Sequence, residues 1–286
     1  MSLGPHYFQA AILFRNSILL SSLLCSTEVL IGITKTHIEK LEHVDRTFFK
    51  RLFEVPRSTA IESFYLESAA IPIRFLLIQR RLMYYWAILA RPDNDLVKRV
   101  FNAQKSFPVK NDWIGQVKDD LQICGIELSE SEIANMKKIS FKKLVNEKVQ
   151  HLSSSFLISL KNKHSKSENL KISEFMQPYL KNDNLSIEEK KLMFRIKNRL
   201  IDVKVNFKKK YNNSLECRFC GGTEESQKHL VICPEILADS NIKQALQNHK
   251  YSDIFSNHEP TQTHMIKTWK LIMNTWKIKT TKLSNT

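Results

Sequence analysis

Glycine and proline are both scarce in this chain of 286 residues, at 6 and 8, and their scarcity is the first constraint on its fold. Without them, the tight hairpins and left-handed corners of β-sandwiches and barrels have few places to form. Hairpin dipeptides are missing apart from Gly221-Gly222. No apolar run reaches the roughly 18 residues of a membrane span. The densest stretch, Ile71 to Leu89, is interrupted by Arg74, Arg80 and Arg81 and reads as a buried helix with its arginines along one side. The run Ser17 to Cys25 stands behind a single Arg15, but apolar residues continue on both sides of that arginine, so it reads as part of a longer helix and not as a signal peptide. Five cysteines are an odd number with no disulfide framework, which favours a reducing intracellular compartment, nuclear or cytoplasmic. No Ser-His-Asp, Cys-His or paired-carboxylate constellation for catalysis assembles from the sequence, and outside one cluster the histidines are scattered without ligand spacing.

What is present is helical periodicity. Apolar residues recur at three and four, which predicts a mainly α fold, and a hydrophobic content of 42% is enough for an ordinary core in about two domains. Helices are expected over 5 to 24, 36 to 53, 59 to 68, 72 to 90, 94 to 105 and 110 to 124, with breaks marked by Pro56, Pro72, Pro92 and Pro108. Pro72 suits a first helical position. Ser129 with Glu132, and Ser186 with Glu189, form capping boxes that predict two further helix starts. The stretch Ser153 to Lys171 is polar and reads as a flexible boundary, while Ile266, Trp269, Met273 and Trp276 predict a last amphipathic helix that packs on the core or on a partner.

Positive charge dominates, with a net +15, and it is concentrated. Between Met136 and Asn212 there are 19 Lys and Arg against 7 Asp and Glu. Such a field attracts polyanions, nucleic acid above all. Ile196, Leu200, Val203 and Phe207 are spaced as a helical stripe, surrounded by Arg195, Lys197, Arg199, Lys204, Lys208, Lys209 and Lys210. These seven cations are either a solvated helix face or a surface that tracks phosphates.

That segment leads into the chemically sharpest feature, CRFCGGTEESQKHLVICP. Cys217, Cys220, His229 and Cys233 stand in a C-x2-C-x8-H-x3-C frame. A tight turn, eased by Gly221 and Gly222, aims the first two thiolates at one ion, and a short helix carrying His229 and Cys233 at i and i+4 delivers the other pair. Four protein ligands close a tetrahedral zinc site and leave no position for an activated water, so the predicted role of the metal is structural. Phe219, beside Cys220, either stacks on a base or covers the metal.

Several segments together resemble the C-terminal part of non-LTR, LINE-type retrotransposon reverse transcriptases. ILLSSLLCSTEVLIGIT, KLEHVDRTFFKRLFEVPRSTAIESFYLESAAIPIRFLLIQRRLMYY and VFNAQKSFPVKNDWIGQVKDDLQICGI look like the helical region after that family's palm. LMFRIKNRLIDVKVNFKKKYNNSLECRFCGGTEESQKHLVICP looks like its lead-in helix and zinc knuckle. The resemblance implies a helical thumb-like domain over 1 to 136, a basic helical connector over 137 to 212, a CCHC zinc knuckle over 213 to 237 and a helical tail over 238 to 286. It begins almost at Met1, so fingers, palm and any upstream endonuclease fall outside it, and Leu30 stands where relatives often carry Trp.

The family holds two Mg²⁺ ions on palm carboxylates, usually in an aromatic-x-Asp-Asp turn. Here the single Asp-Asp pair, Asp119 and Asp120, lies in an amphipathic helical context without strand alternation. The expectation is therefore a protein without polymerase activity that binds RNA or DNA through phosphate contacts, with zinc as its cofactor and no membrane association. The alternative is a vestigial or protein-interaction module whose exposed apolar helices pair with a protein partner.

Overall fold

A computed structural model describes residues 6–107, 109, 112–163, 170, 173, 175–212, 214–256 and 258–284, the side chains of 282–284 excepted. The protein is mainly helical. Helices α1 (Tyr7–Phe14) and α2 (Leu20–Leu23) are joined by a π turn (Arg15–Leu19), followed by α3 (Lys35–Phe53), α4 (Ile61–Ser68), α5 (Ile73–Leu89), α6 (Leu96–Ser106), α7 (Trp113–Cys124), α8 (Glu130–Asn135) and α9 (Lys138–Lys163). Then come α10 (Pro178–Lys181), α11 (Ile187–Lys197), a 3₁₀ segment (Lys204–Tyr211), α12 (Gln227–Leu230), α13 (Pro234–Leu237), α14 (Ser240–Leu246) and α15 (Glu259–Ser284). Among the described residues β pairing is confined to one antiparallel bridge, Glu216 with Glu224. No helix among them is long and apolar enough to cross a membrane.

The expected helices form where the periodicity places them, and both capping boxes close: Ser129 and Ser186 accept from the backbone of Glu132 and Glu189, whose carboxylates reach back. Pro72 sits just ahead of α5, and Pro108 lies outside the described residues. The division between the two units falls within the Ser153 to Lys171 stretch, after Leu160, but the stretch is helical as far as Lys163. α9 runs on to Lys163 because Val145, Val149, Ser153 and Leu157 keep one helical face buried, and Phe156 packs edge-on against Phe75 at 5.5 Å. Residues 164–169, 171 and 172 of that region lie outside the described residues.

The chain divides into two compact units that do not follow the expected linear order of domains. The first comprises Leu13–Phe49 and Ala70–Leu160, the second Met1–Ile12, Lys50–Ala69 and Lys161–Thr286. In the first unit α5 is the central element, burying Leu82, Tyr85, Ile88 and Leu89 against Phe101 of α6, Trp113 and Val117 of α7, Ile133 of α8 and Phe141, Val145 and Val149 of α9. Each such side chain contributes about 1.5–3 kcal/mol on burial.

The three arginines of α5 do not line one side. Arg74 and Arg81 are seven residues apart on one face, and Arg80 points elsewhere, each with its own acid: Glu42, Asp120 and Glu28 respectively. Arg15 is buried. The π turn widens the helix by one residue there and sends the guanidinium inward onto Asp45 through two bonds of 2.6 and 2.7 Å, with a third to the carbonyl of Ile71.

Asp120 is a structural acid of the first unit. Burial pushes its carboxyl from an ordinary 3.8 up to about 6; the Arg81 guanidinium at 2.9 Å opposes that shift and the charge of Asp119 adds to it. A carboxyl raised in this way contributes stability that is complete below about pH 4 and is lost as pH rises through 6, by up to about 3 kcal/mol. Urea unfolding midpoints measured between pH 4 and 7 are expected to show this slope, and Asp120→Asn is expected to flatten it relative to the parent chain. An unaltered slope in the variant would place the titration elsewhere.

The core of the second unit is aromatic. Phe194 of α11 stacks at 4.0 Å on Phe53 and at 5.6 Å on Phe64, and Phe53 meets Phe8 at 5.1 Å. α15 is the predicted last helix, with Met265, Ile266, Trp269, Ile272 and Trp276 buried, and it packs along α10, α11, α13 and α14.

Candidate metal centre and its basic lead-in

Cys217, Cys220, His229 and Cys233 converge, their ligand atoms all within 4.8 Å of one another. The local sequence explains how. Cys217 donates its N–H to the Thr223 carbonyl at 2.8 Å, and Gly221 donates to the Cys217 carbonyl at 2.9 Å, closing a turn on Cys220. Gly221 adopts φ +65°, the left-handed region that a side chain would resist. His229 is placed by α12, where the Ser226 hydroxyl accepts its N–H at 3.1 Å.

The second ligand pair does not share one helix, as its spacing had suggested. α12 ends at Leu230, and Cys233 is the capping residue of α13, held there by Pro234 at the first helical position. The break rotates the thiol of Cys233 to 3.9 Å from that of Cys217, while Cys220 Sγ lies 3.3 Å from His229 Nε2. In a tetrahedron with metal–sulfur bonds near 2.3 Å the sulfurs sit about 3.8 Å apart, so the observed separations suit one four-coordinate ion.

The outer contacts favour the same chemistry. Thr223 Oγ1 lies 2.8 Å from His229 Nδ1, which fixes the ring with Nε2 toward the thiols. Burial lowers the pKa of His229 below its usual value, keeping the imidazole neutral and able to ligate, with Glu225 acting in the opposite direction. The backbone N–H of Gly222 lowers the Cys220 thiol, whereas burial pushes Cys233 up to about 12. Cys217, His229 and Cys233 are buried and Cys220 is half-buried, so the site is closed on the protein side.

The lead-in is not the continuous helix that the stripe of Ile196, Leu200, Val203 and Phe207 predicted. α11 stops in a Schellman cap: Arg199 N–H bonds to the Ile196 carbonyl at 3.1 Å and Leu200 N–H to the Arg195 carbonyl at 2.8 Å, with Arg199 itself at φ +52°. Arginine stands where glycine usually marks such a stop, which is why the sequence pattern hides it. Ile196 and Val203 are still buried, but the following residues form the 3₁₀ segment, which is kinked at Phe207.

The break separates the seven cations. Lys197 is buried and ion-paired with Glu67 at 2.8 Å, with Gln177 Oε1 at 3.2 Å, so it is a core residue and not a phosphate contact. Arg195 caps the Glu54 carbonyl at 3.2 Å, Lys204 donates to Ser214 Oγ at 3.2 Å, and Lys210 is held charged by Asp202 at 2.6 Å. Arg199 is half-buried. Lys208 and Lys209 remain exposed, with no acidic partner among the described residues. Phe219 is half-buried beside Cys220.

Glu225 and Arg218 escaped the sequence reading. Glu225 is fully buried and receives Arg218 through bonds of 2.6 and 2.8 Å, the Arg218 N–H at 3.0 Å and the Lys204 N–H at 3.2 Å, while its carbonyl accepts from Val205. Arg218 lies over the rings of Tyr211 and Trp276 at 4.7 and 5.2 Å. The pair thereby ties the lead-in to the metal centre. One of two adjacent acids, Glu224 and Glu225, carries no spacing signal, so only the fold identifies it. Lys228, on α12 next to His229, is a further exposed cation that the sequence reading passed over. Comparison with known protein families, curated proteins and solved structures gives no match for this chain, so its site chemistry stands on the geometry alone.

Proposed function

We propose that this protein is a non-catalytic, zinc-stabilised nucleic-acid-binding protein, a remnant of a LINE-type reverse transcriptase. Three thiolates and one imidazole closing a four-coordinate site suit zinc, whose d¹⁰ shell accepts that geometry without ligand-field cost. The observation that carries the binding function is the set of three exposed lysines: Lys208 and Lys209 in the 3₁₀ segment, whose start is tied to Glu225, and Lys228 beside the ligand His229. Unpaired ammonium groups on a rigid support neutralise phosphates and release counterions without reading bases. Engagement of Asp120 with Arg81 supports the non-catalytic reading, because that carboxylate is committed to packing α7 on α5.

Mobility-shift titrations with single-stranded RNA, single-stranded DNA and duplex at two salt concentrations test the proposal. The double variant Lys208→Ala/Lys209→Ala is expected to flatten the log–log salt slope on single strands by about 1.4, from roughly 0.7 per phosphate, with sequence preference unchanged. Lys197→Met is expected to leave the slope alone while lowering stability. An unchanged slope in the double variant would favour a second reading as a protein-interaction module. One observation supports that alternative: Leu96 and Val100, on one side of α6, and Phe107, just past its end, are 72, 58 and 78% exposed.

A further inference from the structure

We infer that the first unit carries a second binding site, a cleft that takes a single nucleoside monophosphate with an amino-bearing base. The cleft is a shallow, open one of about 320 Å³, with Glu28, Arg80, Met83, Tyr84, Trp86 and Lys138 among its lining residues. Ligand pockets run from about 300 to 1,000 Å³, so this one admits a ring system with one small charged group and not an extended polymer.

Its walls are preset. Tyr84 is braced edge-on by Trp113 at 5.7 Å, and Trp86 is oriented by its indole N–H donating to the Met136 carbonyl at 3.0 Å. The Glu28 backbone is tied down as well, its carbonyl accepting from Trp113 Nε1 at 2.7 Å. Tyr84 and Trp86 are thus fixed before any ligand arrives and line the cleft beside the Met83 thioether, so a flat ring that stacks on either needs little ordering of the protein on binding.

Charge selects the remainder of the ligand. Lys138 is exposed, has no acidic partner among the described residues, and opens α9, whose first-turn amides add partial positive charge on the same side. Arg80 reaches Glu28 through one bond only, Nε to Oε2 at 3.2 Å, which leaves its terminal nitrogens available. Two cations against one acid favour an anion, and a phosphate suits both donors. The second oxygen of Glu28 remains an acceptor for an exocyclic amine, a contact that adenine, guanine and cytosine can make. The ligand is therefore a nucleoside monophosphate, either free or as the 5′-phosphorylated end of a strand. This site involves none of the residues of the metal centre and stands or falls independently of it.

Calorimetric titration of the full chain tests the inference. Adenosine monophosphate is expected to bind with a Kd below about 1 mM, and adenosine and ribose 5-phosphate each at least about tenfold more weakly. Lys138→Ala is expected to weaken adenosine monophosphate about tenfold while leaving adenosine unaffected. Arg80→Gln is expected to weaken it in the same direction. A short 5′-phosphorylated oligoadenylate that binds more tightly than the monophosphate, with its 5′-hydroxyl counterpart weak, identifies a strand end as the source; equal or weaker binding identifies the free nucleotide. Absence of binding up to about 10 mM, or affinity unchanged in Lys138→Ala, overturns the inference.

Discussion

Metal analysis of the purified, reduced protein is expected to return about one zinc per chain, and chelation is expected to cost as much order as losing a ligand. Structural Cys/His sites bind zinc with apparent free energies of about 10–16 kcal/mol, and in a small module that energy is folding energy. The turn around Cys220 and the break between α12 and α13 have almost no apolar core of their own beyond Leu230, Val231 and Ile236. Four ligand atoms gathered within 4.8 Å, three of them sulfur, repel and desolvate one another without a cation. Hydrogen exchange should therefore rise over residues 215 to 235 after chelation, and equally in Cys220→Ala and His229→Ala. Because Glu225 accepts from Arg218 and from the backbone of Lys204 and Val205, the loss should spread back into Lys204–Tyr211. Protection along α5 and α7 in the other unit should be retained. A metal-free protein with reduced thiols and full protection over 215 to 235 would refute the structural role of the metal.

Asp45→Ala is expected to destabilise the first unit by about 3–5 kcal/mol, the cost of leaving a buried guanidinium without its partner. Arg15 and Asp45 are 1 and 0% exposed, and their two bonds of 2.6 and 2.7 Å are joined by the ring of Phe49, whose centroid lies 5.2 Å from the guanidinium carbon. Removing the acid strands the charge; removing both charges does not. The double variant Arg15→Met/Asp45→Leu should therefore recover much of the loss, since replacing a buried pair by apolar side chains of similar volume is often neutral or stabilising. Chemical denaturation of the two variants checks this. Equal loss in both would mean that the pair's packing, and not its charge, holds α3 to the π turn.

Short-range information was legible in the sequence because its physics is short-range. Scarce glycine and proline, apolar recurrence at three and four, and the reciprocal Ser-Glu caps at Ser129 and Ser186 all act within a turn or two of the chain. They determined the helices and most of their limits. The four metal ligands were legible for a related reason: two close pairs, Cys217 with Cys220 and His229 with Cys233, lie near enough along the chain to face one ion, although the second pair does so across a helix break and not on one helix.

Tertiary structure decided what depends on partners distant along the chain. Arg15 looked like an interruption of an apolar run, and Asp45, thirty residues on, made it part of the core. Lys197 looked like one cation in a basic face, and Glu67, from a different stretch, buried it. Ser153 to Lys171 looked polar enough to be a flexible boundary, yet as far as Lys163 one face of the continuing helix had a core to cover. Composition and periodicity determine which backbone forms and which residue types can ligate, because those follow from local sterics and ligand chemistry. Whether a given charge meets solvent, an acid or a phosphate is settled only when the folded chain brings its neighbours into place, because desolvation and Coulomb terms depend on surroundings that no local window contains.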